Sequence, residues 1–153
     1  MEIRKSVNNV QGAMNLASAL AKNVRGGECI EFVSDLGGGK TTFIQYFVSA
    51  LGSDDVVTSP TFTIGKQYKT AESSVYHYDF YRLSEPGIIA EELAEVLQDD
   101  TGVILVEWGQ TMKDVLPESR ILITINKVAD NPDGREFTIT FPEKYHYMSK
   151  GIS

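Results

Sequence analysis

Cysteine, basic residues and long apolar runs are scarce in this chain, and each scarcity excludes a class of protein. The one cysteine, Cys29, excludes an intrachain disulfide and fits a cytoplasmic location. No apolar run approaches the roughly 18 residues of a membrane-spanning helix, and residues 1–6 lack the apolar core of a signal peptide. We therefore expect no membrane partner. The net charge of −7, with scattered Lys and Arg, argues against direct binding of nucleic acid.

The remaining composition is that of an ordinary globular protein. A length of 153 residues suits one domain, and 42% hydrophobic residues suffice for a core. No repeat or long linker divides the sequence. We predict a single domain over residues 1–153, in which 143–153 is a loosely ordered tail, an ordered helix or a partner contact.

Hydrophobic spacing alternates between helical and extended periods along the chain. Helical spacing predicts helices over 9–24, 40–51 and 85–98, the last with Ser84 as its cap. Extended patterns predict strands over 28–33, 56–66, 74–81, 102–106, 120–127 and 136–141, with a turn at 131–134. This mixture is typical of an α/β domain.

A glycine-rich segment joins the strand at 28–33 to the helix at 40–51. It reads Ser34-Asp35-Leu36-Gly37-Gly38-Gly39-Lys40-Thr41 and nearly matches a P-loop. Glycines let backbone N–H groups approach phosphate oxygens, and the helix N-terminus favours the same anion. We expect Lys40 to reach the β- and γ-phosphates, Thr41 to bind Mg²⁺ and Thr42 to touch the α-phosphate. Ser34 stands where glycine is usual, which we interpret as a tolerated change.

An acidic residue suited to magnesium follows a second buried strand. Val103 to Val106 are apolar, and Glu107 comes next, at the carboxyl end where α/β sheets bind ligands. We predict that Glu107 holds Mg²⁺ directly or through water. Trp108 fits two interpretations equally, a core aromatic or a residue against the nucleotide or a mobile loop.

Two further segments carry candidate residues. In the segment 76–82, we expect Asp79 to orient or deprotonate an attacking water. His77 is as consistent with a structural role as with a functional one, and Arg82 suits either charge stabilisation or an ion pair. The segment 58–63 is rich in hydroxyl groups, and Thr61 is its best candidate for sensing the γ-phosphate. A plain extended connection is the alternative there.

Together these segments resemble the TsaE family, small bacterial ATPases of tRNA threonylcarbamoyladenosine synthesis. The matching segments are 35–43, 59–63, 77–83 and 106–108, within a resemblance that covers roughly residues 5 to 140. It implies a P-loop NTPase-like sheet with central parallel strands, antiparallel additions and helices on both faces.

The resemblance also implies a function. A TsaE protein binds ATP or ADP with Mg²⁺, hydrolyses ATP slowly and acts beside the TsaB and TsaD proteins, so tRNA is contacted only through the complex. The implied catalytic residues are Lys40, Asp79 and Glu107, with Thr41 and Glu107 at the metal. The implied nucleotide-binding residues are Asp35, Leu36, Gly37, Gly38, Gly39, Lys40, Thr41, Thr42, Thr61 and Trp108.

Three other functions fit the sequence less well. A small GTPase would carry Asn-Lys-x-Asp, and the segment 126–130 is one residue too long. A small-molecule kinase would carry an arginine-bearing lid, whereas Arg82, Arg120 and Arg135 are isolated in the sequence. A subunit that binds nucleotide without hydrolysing it is the third, and Asp79 and Glu107 argue against it.

Overall fold

The computed structural model describes residues 1–34, 37–55, 65–71 and 73–152. Within them the chain forms one seven-stranded sheet. Its strands are β1 (Glu2–Val7), β2 (Cys29–Val33), β3 (Gly65–Lys69), β4 (Ser74–Asp79), β5 (Val103–Glu107), β6 (Ile121–Val128) and β7 (Asn131–Thr140). The α-helices are α1 (Val10–Ala21), α2 (Lys40–Ala50) and α3 (Gly87–Val96), and short 3-10 helices span Gly109–Met112 and Glu143–Ser149.

The strand order is β1-β7-β6-β2-β5-β4-β3. The four central strands β6, β2, β5 and β4 run parallel, whereas β7, β1 and β3 are antiparallel additions. The predicted fold class, a P-loop NTPase-like α/β sheet, is therefore confirmed. No helix in the described ranges is long and apolar enough to cross a membrane.

Helices cover both faces of this sheet because its central strands are apolar on both sides. Leu20 of α1 and Phe47 of α2 are buried with Ile30 of β2 in one core cluster. Leu93 of α3 is buried with Cys29, the neighbour of Ile30, in a second cluster. Consecutive strand residues point to opposite faces, so β2 contributes to both cores and ends between them.

Two local predictions are wrong. Ser84 does not cap α3, because Pro86 stands at the N-cap with helical φ and ψ angles and no side-chain hydrogen bond. The segment 131–134 is not the turn either: β7 already begins at Asn131, and the turn is at 129–130. The Asn131 side chain accepts a hydrogen bond from the Asp133 N–H and donates one to the Asn8 carbonyl, which fixes this irregular start of the strand.

The last described residues pack on the core. Tyr145, Met148 and Ile152 are buried in the cluster beneath α1 and α2. The Tyr147 hydroxyl donates to Glu28 Oε1 at 2.8 Å, and this buried carboxylate also accepts from the backbone N–H groups of Arg25 and Gly26. The 3-10 helix Glu143–Ser149 is therefore packed against the core.

Candidate functional site

A solvent-open cavity of about 250 Å³ lies at the carboxyl ends of β2, β4 and β5. These strands are neighbours in the sheet, so their ends meet at one edge, as expected for ligand sites of parallel sheets. The residues that line the cavity are Gly37, Gly38, Gly39, Lys40, Thr41, Thr42, Asp79, Glu107 and Trp108. Three predicted site residues, Asp35, Leu36 and Thr61, lie outside the described residues, as does most of the segment 56–66.

The glycines between β2 and α2 adopt conformations that other residues avoid. Gly37 has φ 74° and Gly39 has φ 99°, both in the left-handed region. Gly39 is also the N-cap of α2 and, being a glycine, provides no side-chain acceptor for this helix end. The first turn of α2 therefore faces the cavity edge without a side-chain acceptor of its own.

Lys40 is drawn back towards the start of the loop. Its side chain is buried, and Nζ donates to the carbonyl and the hydroxyl oxygens of Ser34, both at 3.1 Å. The same Nζ lies 4.3 Å from the centroid of the Trp108 ring. The serine at the first loop position therefore provides an acceptor that the usual glycine would lack.

The two carboxylate oxygens of Glu107 contact different residues. Oε2 lies 2.7 Å from His77 Nε2, and both side chains are almost wholly buried. Oε1 lies 3.5 Å from the Thr41 hydroxyl. His77 Nδ1 is buried and has no hydrogen-bond partner within the described part of the chain.

Asp79 stands directly opposite Glu107 in the parallel pairing of β4 and β5. Its Oδ1 accepts a hydrogen bond from the Tyr81 N–H at 3.0 Å. The N–H of Phe80, which lies between these two residues, donates to the Glu107 carbonyl. These bonds fix the half-buried Asp79 at the cavity edge. Arg82 is exposed in the turn that follows.

Trp108 is the one non-glycine residue with positive φ in the part of the chain that the structure describes, at 57°. Its ring packs on Tyr81, with centroids 5.0 Å apart, and it borders the cavity. Left-handed backbone at a bulky residue is unfavourable and is often retained near functional sites. The Trp108 ring also packs against the second core cluster, so it meets the core and borders the cavity at the same time.

The sequence motifs do not indicate one contact of the glycine loop, which an arginine makes on the side away from the first cavity. Arg135 of β7 donates from Nε to the Gly38 carbonyl at 3.1 Å. Its position depends on the register of β7 against β6, which no sequence motif reveals. Beside this contact lies a second cavity of about 210 Å³, lined by Val10, Ala13, Gly38, Gly39, Thr42, Phe43, Tyr46, Ile125, Asp133, Arg135 and Phe137.

The oxygen atoms near the loop suit a hard divalent cation. No cluster of three or more His, Cys, Asp or Glu able to hold a metal occurs among the described residues. Thr41 and Glu107 nevertheless bring a hydroxyl and a carboxylate oxygen within 3.5 Å. Mg²⁺ commonly takes one or two protein ligands together with phosphate oxygens and water, so this donor pair fits magnesium bound with a nucleotide.

Known proteins resemble this chain over most of its length. The model of the family described as threonylcarbamoyl adenosine biosynthesis protein TsaE matches residues 7–137. The tRNA threonylcarbamoyladenosine biosynthesis protein TsaE of Bacillus subtilis is 36% identical over 147 residues, which cover 95% of this chain and 90% of that protein. The protein of the same name in Rickettsia felis is 31% identical over 129 residues, which cover 82% of this chain and 73% of that protein.

A solved structure agrees with the sequence comparisons. The crystal structure of Bacillus subtilis YdiB matches with a TM-score of 0.75 and 29% identity. The match covers 97% of this chain and 91% of that one. The likeness thus extends across the whole sheet and is not confined to the glycine loop.

Proposed function

Because this chain belongs to the TsaE family of threonylcarbamoyl adenosine biosynthesis proteins, we propose that it is the ATP-binding subunit for this tRNA modification. It binds ATP or ADP with Mg²⁺ and hydrolyses ATP slowly. The observation that carries the proposal is the meeting of Lys40, Thr41 and Glu107 at one cavity beside the glycine loop.

The proposed nucleotide places its phosphates within the loop. Backbone N–H groups at Gly37–Thr41 donate to the phosphate oxygens, and Lys40 leaves Ser34 to contact the β- and γ-phosphates. Thr42 contacts the α-phosphate. Since Thr42 also lines the second cavity, the nucleoside end extends towards that cavity. Asp35, Leu36 and Thr61 complete the proposed set, with Thr61 at the γ-phosphate.

Thr41 and Glu107 are the proposed magnesium ligands, and His77 holds the Glu107 carboxylate in place through its other oxygen. The ion would neutralise charge that develops on the phosphates. Asp79, fixed at the end of the neighbouring strand β4, orients the attacking water and accepts its proton. Trp108 closes the side of the cavity next to Lys40.

The proposed partners are the TsaB and TsaD proteins. With a net charge of −7, the chain is poorly suited to hold tRNA phosphates itself, so the complex contacts the tRNA. We propose a single domain acting in the cytoplasm. The alternatives are a small-molecule kinase and a subunit that binds nucleotide without hydrolysing it.

The decisive test is ATP hydrolysis by the pure protein, alone and with TsaB and TsaD. The variant Glu107→Gln removes the charge at the proposed metal site, and Glu118→Gln is a matched control at an exposed position. We expect hydrolysis that the partners stimulate, that Glu107→Gln abolishes and that the control retains. Nucleotide binding without hydrolysis under any condition would favour the non-hydrolysing subunit. Phosphate transfer to an added small molecule, without release to water, would favour a kinase.

Binding can be measured separately through the fluorescence of Trp108, the one tryptophan of the chain. We expect ATP to change this fluorescence, because the ring contacts Lys40 and borders the cavity. Lys40→Ala should weaken binding about ten-fold or more, the effect of losing charge-assisted hydrogen bonds. The exposed Lys22→Ala is the matched control. Equal affinity in the Lys40 variant would contradict the assignment of the phosphate site.

A further inference from the structure

We propose that Arg135 is a positioning residue for the phosphate loop, which it holds from outside so that the Gly39 N–H faces the bound phosphates. This inference rests on the proposed nucleotide binding. Its starting observation is the hydrogen bond from Arg135 Nε to the Gly38 carbonyl, at 3.1 Å. Arg135 lies in β7, almost a hundred residues after the loop in the chain.

The guanidinium of Arg135 is itself held firmly. Its Nη1 atom donates to the Pro132 carbonyl at 2.8 Å and to the Gly134 carbonyl at 2.6 Å. Both acceptors belong to the irregular start of β7, where the pairing with β6 shifts register. A planar guanidinium with donors fixed on one side presents the remaining donors in a defined direction. Arg135 therefore links the β6–β7 hairpin to the glycine loop.

Peptide geometry transmits this contact to the other side of the loop. The described chain has no cis peptide bonds, so the Gly38–Gly39 peptide is trans and planar. In such a unit the carbonyl and the N–H point in opposite directions. Because the Gly38 carbonyl points to Arg135, the Gly39 N–H points away from it. Gly38 and Gly39 line the phosphate cavity as well as the cavity beside Arg135, so this N–H is available to phosphate.

The loop needs such a restraint because of its own glycines. Three in succession leave the Gly38–Gly39 peptide free to rotate, and glycine accepts both orientations at little steric cost. In the rotated form a carbonyl oxygen would face the phosphates and repel them. Arg135 stabilises the productive orientation by a charge-assisted hydrogen bond. Lys127, its partner in the β6–β7 pairing, adds positive charge near Gly37.

The test compares Arg135→Ala and Arg135→Lys with the wild type. Arg4→Ala is a matched control, because Arg4 is an exposed arginine on the edge strand β1. The probes are Mg-ADP and magnesium pyrophosphate, titrated by calorimetry, with the melting temperature of each ligand-free variant measured alongside. Pyrophosphate has no nucleoside, so it reports on the loop and not on the second cavity, which Arg135 also lines.

For Arg135→Ala we expect both ADP and pyrophosphate to bind about ten-fold more weakly, the loss of one charge-assisted hydrogen bond. Arg135→Lys should recover part of the affinity, since it keeps a cationic donor. The KM for ATP should rise with kcat little changed. If Arg135→Ala does not fold, the comparison of Arg135→Lys with wild type carries the test.

Weaker ADP binding with unchanged pyrophosphate binding would overturn the inference and assign Arg135 to the nucleoside. Wild-type affinity for both probes in every folded variant would also overturn it, while leaving nucleotide binding intact. Failure of the wild type to bind either probe would instead refute the proposed function, and with it the proposed role of Arg135.

Discussion

Replacing His77 with leucine should strongly destabilise the ligand-free protein. The His77 and Glu107 side chains are almost wholly buried and meet at 2.7 Å. In His77→Leu, the one hydrogen bond that remains to the Glu107 side chain from the described residues is that of the Thr41 hydroxyl, at the marginal distance of 3.5 Å. Leaving a buried carboxylate without its partner typically costs about 3–5 kcal/mol. That is a large share of the roughly 5–15 kcal/mol that stabilises a domain.

A double-mutant cycle read by urea unfolding measures this effect. With an m-value of about 2 kcal/mol/M, a loss of about 4 kcal/mol lowers the urea midpoint by about 2 M. The double variant His77→Leu/Glu107→Leu should recover much of the loss, because it leaves no buried charge unpaired. We therefore expect the sum of the stability losses in the two single variants to exceed the loss in the double variant by about 2 kcal/mol or more.

A loss below about 1 kcal/mol in His77→Leu, with additive single effects, would refute this reasoning. It would mean that the Glu107 carboxylate obtains its stabilisation elsewhere. Adding ADP with Mg²⁺ extends the test. If Glu107 binds the ion, part of the stability lost in His77→Leu should return, whereas Glu107→Leu should gain far less.

Three further predictions concern other parts of the domain. Tyr147→Phe should lower the free energy of unfolding by about 1–2 kcal/mol, because buried Glu28 loses a hydrogen bond. Tyr46→Phe is the control, since the Tyr46 hydroxyl has no such bond to a described residue, and it should stay near wild type. Equal effects of the two variants in urea unfolding would contradict the prediction. Burial raises the pKa of the Cys29 thiol to about 12, so the folded protein should resist iodoacetamide at pH 8 and react once unfolded in urea; rapid labelling of the folded protein by mass spectrometry would contradict this. Hydrogen bonds from neighbouring hydroxyl groups hold the pKa of Asp99 below its usual value. The contribution of the Asp99 carboxylate to stability is therefore present above about pH 4 and is lost as the pH falls through the lowered pKa. In urea unfolding, the stability difference between wild type and Asp99→Asn should shrink over that acidic range.

The sequence predicts the elements whose signals are local. The apolar runs of β2 and β5 and the helical spacing of α1 and α2 need only neighbouring residues to be recognised. The glycine loop, Asp79 and Glu107 follow such runs directly, which is why their meeting at one sheet edge could be anticipated from the rule for parallel strands.

Features that depend on distant pairing could not be predicted in the same way. The edge strand β1 alternates exposed and half-buried residues and acquires its structure by pairing with β7. The start of β7 is extended although its residues favour a turn, because Asn131 bonds to Asn8. The contact of Arg135 with the loop depends on that same pairing, and the buried contact of His77 with Glu107 depends on the register of β4 against β5.

The position of β2, between β5 and β6 in the sheet, also bears on how the domain folds. The loop after β2, the acids at the ends of β4 and β5, and Arg135 on β7 come together only when strands distant in the chain have paired. Such non-local pairings form late and slowly. A partly folded chain therefore lacks the proposed phosphate site, and a nucleotide that binds there would stabilise the completed sheet by mass action. Cellular nucleotide would then protect the whole domain against unfolding and proteolysis, well beyond the loop that it touches.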